Sequence, residues 1–229
     1  MKLYALDKTV FIIRGQAAQF LNGLSSNTLD ARRNAFLNNH GRIIATFDQK
    51  KISDDEFMVV VASSAVEGMM VHLDRFARLN KTTIERTEHH AYFSLQDNVE
   101  LDLSWSFPQR KGTMIVSKTT LSAQIPDERM NLFRLENNIP LHGIDYPSDI
   151  LILNVDEHEF VSFSKGCFLG QEPVSKVHHR SKPSWKLVVA CEEELSDEQK
   201  LEMTSKAQDP KTKKTKIQPS SLAISITEK

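Results

Sequence analysis

The order of apolar segments constrains the fold of this chain more than any other feature of its sequence. Most of these segments are short, rich in β-branched or aromatic residues and bounded by turn residues, which is typical of β-strands. We expect strands at residues 10–14, 35–37, 43–47, 57–62, 82–85, 91–95, 113–117, 186–190 and 222–227. Because helices do not alternate regularly with these strands, the sequence predicts an α+β fold and not a doubly wound sheet.

Three segments with helical spacing interrupt the strands. Apolar residues recur three and four positions apart over residues 17–24, which places them on one face of a helix. Residues 64–79 repeat this spacing, and a serine followed three positions later by a glutamate predicts a capping box at their start. Residues 126–138 begin with a proline and two acidic residues, which favours a helix start there.

Composition and charge exclude several classes of protein. The chain has 229 residues, of which 40% are hydrophobic and 26% charged, so it is long and apolar enough to form a core. The formal net charge is -1, so the overall charge does not attract nucleic acid. We find no secretory signal and no apolar run long enough to span a bilayer. We therefore expect a cytoplasmic protein with no membrane partner.

One of the two cysteines, Cys167, lies in an unusual segment with the sequence KGCFLGQE, residues 165–172. Lys165 stands two positions before it, and a nearby cation lowers the pKa of a thiol and favours the reactive thiolate. Gly166 and Gly170 remove side chains on both sides, so another molecule could approach the sulfur closely. The segment therefore has the chemistry of a reactive thiol in a shaped loop.

The same residues also permit a purely structural interpretation. Cys167 could be buried, since free cysteine is among the most buried residue types. Glu172 could pair with Lys176 at the surface, or it could accept hydrogen bonds from a bound heterocycle. Pro173 is expected to prevent a helix from continuing past Glu172. Cys191 follows an apolar segment and is expected to act as a small hydrophobic residue.

Two pairs of adjacent histidines, at residues 89–90 and 178–179, suggest a metal site at first sight. Neighbouring side chains on a strand point to opposite faces, so such a pair cannot readily bind one ion. Two cysteines and scattered histidines also do not form a structural zinc site. We expect no bound metal.

Four segments resemble one known family. KGCFLGQE (165–172) closely resembles the K-G-C-Y-x-G-Q-E signature of the YgfZ-type folate-binding proteins. These are relatives of the glycine-cleavage T-protein and include the mitochondrial iron–sulfur assembly factors. GQAAQFLNGL (15–24), LNNHGRIIA (37–45) and RLENNIP (134–140) are similar to further motifs of that family and follow in the same order. The likeness extends over nearly the whole chain.

The resemblance implies antiparallel sheets and helices around a central opening of folate size, followed by a reduced C-terminal β-barrel. We accordingly expect a folate-binding body over residues 1–150, a motif segment that closes it over 151–183, and a short all-β domain over 184–229. Two features depart from the family pattern. The run before the motif keeps Asn154 but lacks a proline and a polar pair, and the chain after Glu172 is shorter than usual.

The resemblance also implies a function. It indicates an accessory protein that binds tetrahydrofolate, or a one-carbon derivative of it, and supports the assembly or repair of iron–sulfur clusters and thereby tRNA modification. Cys167 would be the working thiol, with Lys165 beside it, and iron–sulfur proteins or the cluster-assembly machinery would be the partners. The matching segments give as candidate folate contacts Asn22, Arg42, Arg134, Gly170, Gln171 and Glu172.

Two other functions remain open at this point. The first is aminomethyl transfer, which in the T-protein relies on an aspartate just after the G-x-I-I strand, which corresponds to residues 41–44. This chain has Ala45 and Thr46 there, neither of which can act as a carboxylate base, and its first acid is Asp48. The second is a binding module that uses the basic segments 176–186 and 211–216. Acidic residues in the same C-terminal part dilute that charge, so direct RNA binding is not expected.

Overall fold

The structure is a computed structural model, and it describes residues 1–102, 104–191, 193, 195–197, 200, 203–208 and 215–219. In chain order its strands are β1 (Tyr4–Ala5), β2 (Lys8–Gly15), β3 (Arg33–Leu37), β4 (Ile43–Ser53), β5 (Glu56–Ala62), β6 (Thr82–Arg86), β7 (His90–Ser94), β8 (Ser104–Pro108), β9 (Thr113–Ser117), β10 (Ala190–Cys191), β11 (Met203–Gln208) and β12 (Thr215–Pro219). The helices are α1 (Ala17–Leu24), α2 (Val66–Leu79), α3 (Asp127–Glu136), α4 (Glu157–Phe160) and α5 (Gln171–Lys176).

These strands form three antiparallel sheets. The largest has the order β3-β4-β5-β2-β6, a second has the order β1-β7-β9-β8, and a third has the order β10-β12-β11. Helices follow only some of the strands, and every pairing between strands is antiparallel. The predicted α+β class with antiparallel sheets is therefore confirmed.

Strand β2 lies between two apolar layers of the protein. It is apolar at successive positions because both of its faces are buried. Phe11 and Ile13 pack with α1 and α2 on one face of the five-stranded sheet. Val10 and Ile12 pack on the opposite face against β7 and β9 of the four-stranded sheet. The result is a layer of helices, a five-stranded sheet and a four-stranded sheet around two apolar cores.

Helix α2 starts differently from the prediction. A turn of 3-10 helix over Ser63–Ala65 precedes it, and its first residue is Val66. Ala65 is the N-cap and no side chain caps the helix, so the predicted capping box is wrong. Ser64 instead lies beside Gly143. A Cβ added to Gly143 would be 2.2 Å from the Ser64 hydroxyl oxygen. Ser64 thus lies against a distant loop and does not cap the helix.

The C-terminal segment also differs in part from the prediction. The expected strand at residues 186–190 is mostly irregular, and only Ala190–Cys191 forms a short strand, which pairs with β12. Leu187 explains this, because its amide donates to the carbonyl of Asn154 and its side chain joins the core beside the motif segment. The expected strand at 222–227 lies outside the described residues.

A buried ion pair attaches the C-terminal sheet to the body. Arg134 of α3 donates to the Asp145 carboxylate at 2.7 Å, and both side chains are almost fully buried. Asp145 also accepts hydrogen bonds from the Leu141 amide at 2.7 Å and from the Ser205 hydroxyl on β11. Arg134 donates to the same Ser205 hydroxyl. One buried carboxylate thus joins α3, the loop at 141–146 and β11.

Candidate functional site

The motif segment, residues 165–172, forms a loop that leads into a short helix, α5. Gly170 is the N-cap of this helix, which continues through Pro173 to Lys176. Amides in the first turn of a helix have no intrahelical acceptor, so a proline is tolerated there. The prediction that Pro173 stops the helix at Glu172 is therefore wrong.

Two glycines bring this helix into contact with the β3–β4 connection. Gly170 has a φ of +84°, and a Cβ on it would lie 2.3 Å from the carbonyl oxygen of Asn38. Gly41 has a φ of +73°, and its Cβ would lie 2.7 Å from a methyl group of Val174. The motif therefore packs backbone to backbone against residues 38–41, and the space beside Gly170 is occupied by this chain itself.

Lys165 holds the other end of the motif segment. Its ammonium group donates to the carbonyl oxygens of Asn22 at 3.0 Å, Ser25 at 2.6 Å and Asn27 at 3.0 Å. These carbonyls lie in and just after the last turn of α1, where a cation interacts favourably with the helix end. Burial lowers the pKa of Lys165 to about 8. All three ammonium protons have an acceptor, so Lys165 fixes the loop in place.

Cys167 lies between two fixed points and its side chain is exposed. Lys165 anchors the chain on one side of it. On the other side the Leu169 amide donates to the carbonyl of Gly23 at 3.0 Å, and Phe168 is buried. Of the two interpretations that the sequence leaves open, the structure therefore supports an accessible thiol and not a buried cysteine.

A separate cavity of about 200 Å³ lies between the five-stranded sheet, the β1–β2 connection and the loop at 140–146. We refer to it as the central cavity. Apolar side chains such as Leu6 and Phe47 form part of its wall. Its polar wall includes Lys8, Arg33, Thr46, Asp48, Ser64, His142 and Tyr146.

A chain of hydrogen bonds fixes the neutral part of that wall. His142 Nδ1 accepts a hydrogen bond from the Thr46 amide at 3.2 Å, so the ring proton is on Nε2. Nε2 then donates to the Ser148 hydroxyl at 3.0 Å, which donates to the Ile44 carbonyl at 3.0 Å. The Thr46 hydroxyl lies 3.2 Å from Nδ1 and 2.7 Å from the Tyr146 hydroxyl. A backbone donor at one end and a backbone acceptor at the other therefore set the tautomer of His142.

Burial keeps these groups uncharged. Burial, together with the smaller effect of the nearby Lys8 charge, lowers the pKa of His142 to about 4. Burial likewise raises the pKa of Tyr146 to about 12. Near neutral pH the wall therefore offers a neutral imidazole, a phenol and a hydroxyl.

The charged part of the wall is compensated internally. Asp48 lies 2.5 Å from the Lys8 ammonium and 3.7 Å from Arg33, and Gln109 donates to it at 3.1 Å. Burial alone would raise the pKa of Asp48, but the charges of Lys8 and Arg33 outweigh it and lower the pKa. Arg33 in turn pairs with Glu159. Asp48 is therefore an ionised carboxylate that already has partners.

The residues predicted from the sequence lie mainly outside the central cavity. Asn22 is exposed at the end of α1, and Arg42 is exposed with its guanidinium 2.5 Å from the Asp149 carbonyl. Gln171 is half-buried and Glu172 exposed at the start of α5, while Arg134 is buried in its ion pair. Among the described residues that line the cavity none of these occurs. Their role as folate contacts stays a prediction.

The sequence analysis missed most of the cavity wall. Lys8, His142 and Tyr146 carry no motif, and they approach Thr46 and Asp48 only because β2, β4 and the loop at 140–146 meet in space. Thr46 and Asp48 did give a signal, as a residue at the position of the T-protein aspartate and as the first acid after it. The wall depends on long-range contacts that local spacing does not encode.

The neutral state of His142 predicts a dependence of stability on pH. Its pKa is about 4 in the folded protein and about 6.5 when unfolded, so between these values the unfolded chain binds the extra proton. Stability from this residue is complete above about pH 6.5 and is lost as the pH falls toward 4. At about pH 5 the loss is about 2 kcal/mol. We expect urea denaturation at pH 7 and pH 5 to show this loss, and His142→Gln to lack it. An equal loss in both proteins would contradict the assignment.

Within the described ranges, no helix is long and apolar enough to cross a membrane. The same residues contain no group of three or more histidine, cysteine, aspartate or glutamate side chains arranged to hold a metal ion.

The fold is shared with a protein of known structure. The structure is similar to the glycine cleavage system aminomethyltransferase T from Bartonella henselae, with a TM-score of 0.68. The match covers 95% of this chain and 78% of that one at 15% sequence identity, so it shows the fold. The chain thus has an aminomethyltransferase-type fold.

The sequence relates the chain to a more particular protein. It is 26% identical to the mitochondrial "Iron-sulfur cluster assembly factor IBA57 homolog" of Dictyostelium discoideum, over 73% of this chain. The match spans 56% of that relative's length. No family model matches the chain. The two findings together confirm the resemblance to relatives of the YgfZ-type proteins and the T-protein.

Proposed function

We propose that this protein binds reduced folate in the central cavity and supports iron–sulfur cluster assembly through the thiol of Cys167. The observation that carries this proposal is the exposed thiol in a segment fixed by Lys165 on one side and Leu169 on the other. Similarity to an iron–sulfur cluster assembly factor homolog supports the pathway. Cytoplasmic localisation and a link to tRNA modification stay predictions.

The central cavity suits one part of a folate. Pterin is a flat bicyclic ring with several hydrogen-bond donors and acceptors. Such a ligand is best held by apolar walls with a few fixed polar groups. Thr46, His142 and Tyr146 are such groups, and burial keeps His142 and Tyr146 neutral. With a volume of about 200 Å³ the cavity would hold the ring, and the rest of the ligand would extend beyond it.

The same geometry favours binding over aminomethyl transfer. A general base needs a carboxylate that can take a proton from the substrate. Ala45 and Thr46 stand where that aspartate is expected, and the Thr46 hydroxyl contacts His142 and Tyr146. Asp48 is close by, but Lys8 and Gln109 occupy its two oxygens. Folate would accordingly act as a bound cofactor.

The proposal predicts saturable binding of tetrahydrofolate. We expect calorimetry without oxygen to show one site per chain for the wild type. Ser64→Trp should abolish binding, because Ser64 is exposed at the cavity wall and a large ring there would fill the cavity. The matched control is Ser53→Trp, at an exposed serine at the end of β4, which should bind like the wild type. Binding that is the same in both variants would place the ligand elsewhere.

A further inference from the structure

The outer face of helix α2 is left uncovered by the described part of the chain. On the inner face of this helix Met69, Leu73 and Ala77 are buried in the core beneath it. On the outer face Val71 and Leu79 are 76% and 81% exposed, more than any other large apolar side chain among the described residues. Two such side chains on one helix mark this face as a candidate surface for another protein molecule.

Gly68 lies on the same outer face. It precedes Val71 by three positions, which is the spacing of neighbours along one side of a helix. A glycine in the middle of a helix is destabilising, and the fold does not require this one, because no heavy atom lies within 4 Å of the position its Cβ would take. The missing side chain leaves space beside Val71, so the backbone of a second helix could approach closely there.

Two exposed charges are placed symmetrically about Val71. Glu67 lies four positions before it and Arg75 four positions after it. Among the described residues neither has an ion-pair partner, and Arg75 packs over the Phe76 ring of its own helix at 4.4 Å. An antiparallel copy of α2, aligned so that the two Val71 side chains face each other, would place each Glu67 beside the Arg75 of the other copy. The face is therefore complementary in charge to itself.

We propose that a second copy of this chain docks on the outer face of α2 and forms a symmetric dimer. The two-fold axis passes at Val71, with an ion pair between Glu67 and Arg75 on each side of it and Gly68 allowing the helices to approach. Because each copy uses the same face, the assembly closes at two chains. One 14-residue helix from each copy makes a smaller interface than a permanent dimer has, so we expect a Kd of about 10–100 μM.

Sedimentation equilibrium of the full chain between about 1 μM and 1 mM measures this association. We expect the average mass to rise from monomer to dimer and to stop there. Val71→Asp brings two carboxylates together at the axis and should raise the Kd at least about tenfold. The control is Lys111→Asp, at an exposed cation of the β8–β9 connection, which should associate like the wild type. A wild type that stays monomeric, or Val71→Asp that associates as the wild type does, would overturn the dimer.

Charge reversal tests the alignment of the two helices. Glu67→Lys and Arg75→Glu each place like charges side by side in both pairs, and each should raise the Kd about tenfold. The two substitutions in one chain restore both ion pairs with their charges exchanged. The double variant should therefore return to within about threefold of the wild-type Kd. A double variant that associates as weakly as the single ones would contradict this alignment and the proposed interface with it.

Cross-linking gives a geometric measurement of the same interface. In a chain with Cys167→Ala and Cys191→Ala, Val71→Cys places two thiols opposite each other at the axis. Copper–phenanthroline should then oxidise them to a disulfide and yield a covalent dimer. Leu79→Cys is the matched control: the position is as exposed, but eight residues from the axis on each helix the two thiols lie about 24 Å apart along the helices. Equal cross-linking of the two variants, or cross-linking of Leu79→Cys alone, would overturn the proposal.

Discussion

Gly170→Ala is expected to lower the free energy of unfolding by about 3 kcal/mol or more. At a φ of +84° an alanine is strained by its own backbone, and its Cβ would lie 2.3 Å from the Asn38 carbonyl oxygen. That oxygen belongs to the backbone of the β3–β4 connection, whose Gly41 Cα would lie 3.3 Å from the same Cβ, so it cannot move aside as a side chain could. Urea denaturation measures the loss directly.

Gly166→Ala is the matched control within the same motif. No heavy atom lies within 4 Å of the position its Cβ would take. The substitution should therefore change stability by no more than about 0.5 kcal/mol. If Gly166→Ala proved as damaging as Gly170→Ala, the motif would not pack against residues 38–41 in the way described.

Arg134→Leu is expected to lower the free energy of unfolding by about 3–5 kcal/mol. Leucine leaves the Asp145 carboxylate buried without its cation, and an unpaired buried charge is far more costly than a lost surface contact. Because Arg134 and Asp145 also hold Ser205, we expect the C-terminal sheet to separate from α3 first. Hydrogen exchange of the β11 amides should therefore rise more than that of β2.

The exposed pair formed by Arg78 and Asp74 on α2 is the control for this prediction. Its side chains are 78% and 55% exposed, so Arg78→Leu should cost less than about 1 kcal/mol. A small effect of Arg134→Leu, similar to that of Arg78→Leu, would show that the buried pair does not hold the two parts together.

Patterns within short segments predicted the helices and strands that neighbouring residues determine. The apolar face of α1, which includes Phe20, follows from helical spacing. The strands of the five-stranded sheet follow from short runs of β-branched and aromatic residues, such as the one that contains Phe11 and Ile13. The antiparallel sheets were implied by the family resemblance, whose motifs lie in α1, at the β3–β4 connection, at the end of α3 and in the segment that leads into α5. Gly41 and Gly170 were part of those motifs, although the sequence did not show that they touch.

The remaining features depend on contacts between distant segments. Helix α5 passes through Pro173 because the proline falls in its first turn, which only the position of Gly170 as N-cap determines. Lys165 was expected to act on the thiol, but its partners are carbonyls some 140 positions earlier. The tautomer of His142 is set by Thr46, 96 positions away. Contacts between residues so far apart in the chain produce no periodic pattern in the sequence.

The central claim is that the Cys167 thiol supports iron–sulfur cluster assembly, and complementation tests it most directly. The measurement is the activity of an iron–sulfur enzyme, such as a tRNA methylthiolase, in cells that lack the native protein and express a variant. Cys167→Ala should fold normally, because the side chain is exposed, and should leave the activity at the level of cells without the protein. Cys191→Ala, at the half-buried cysteine of β10, should restore activity as the wild type does. Equal restoration by both variants would contradict the claim.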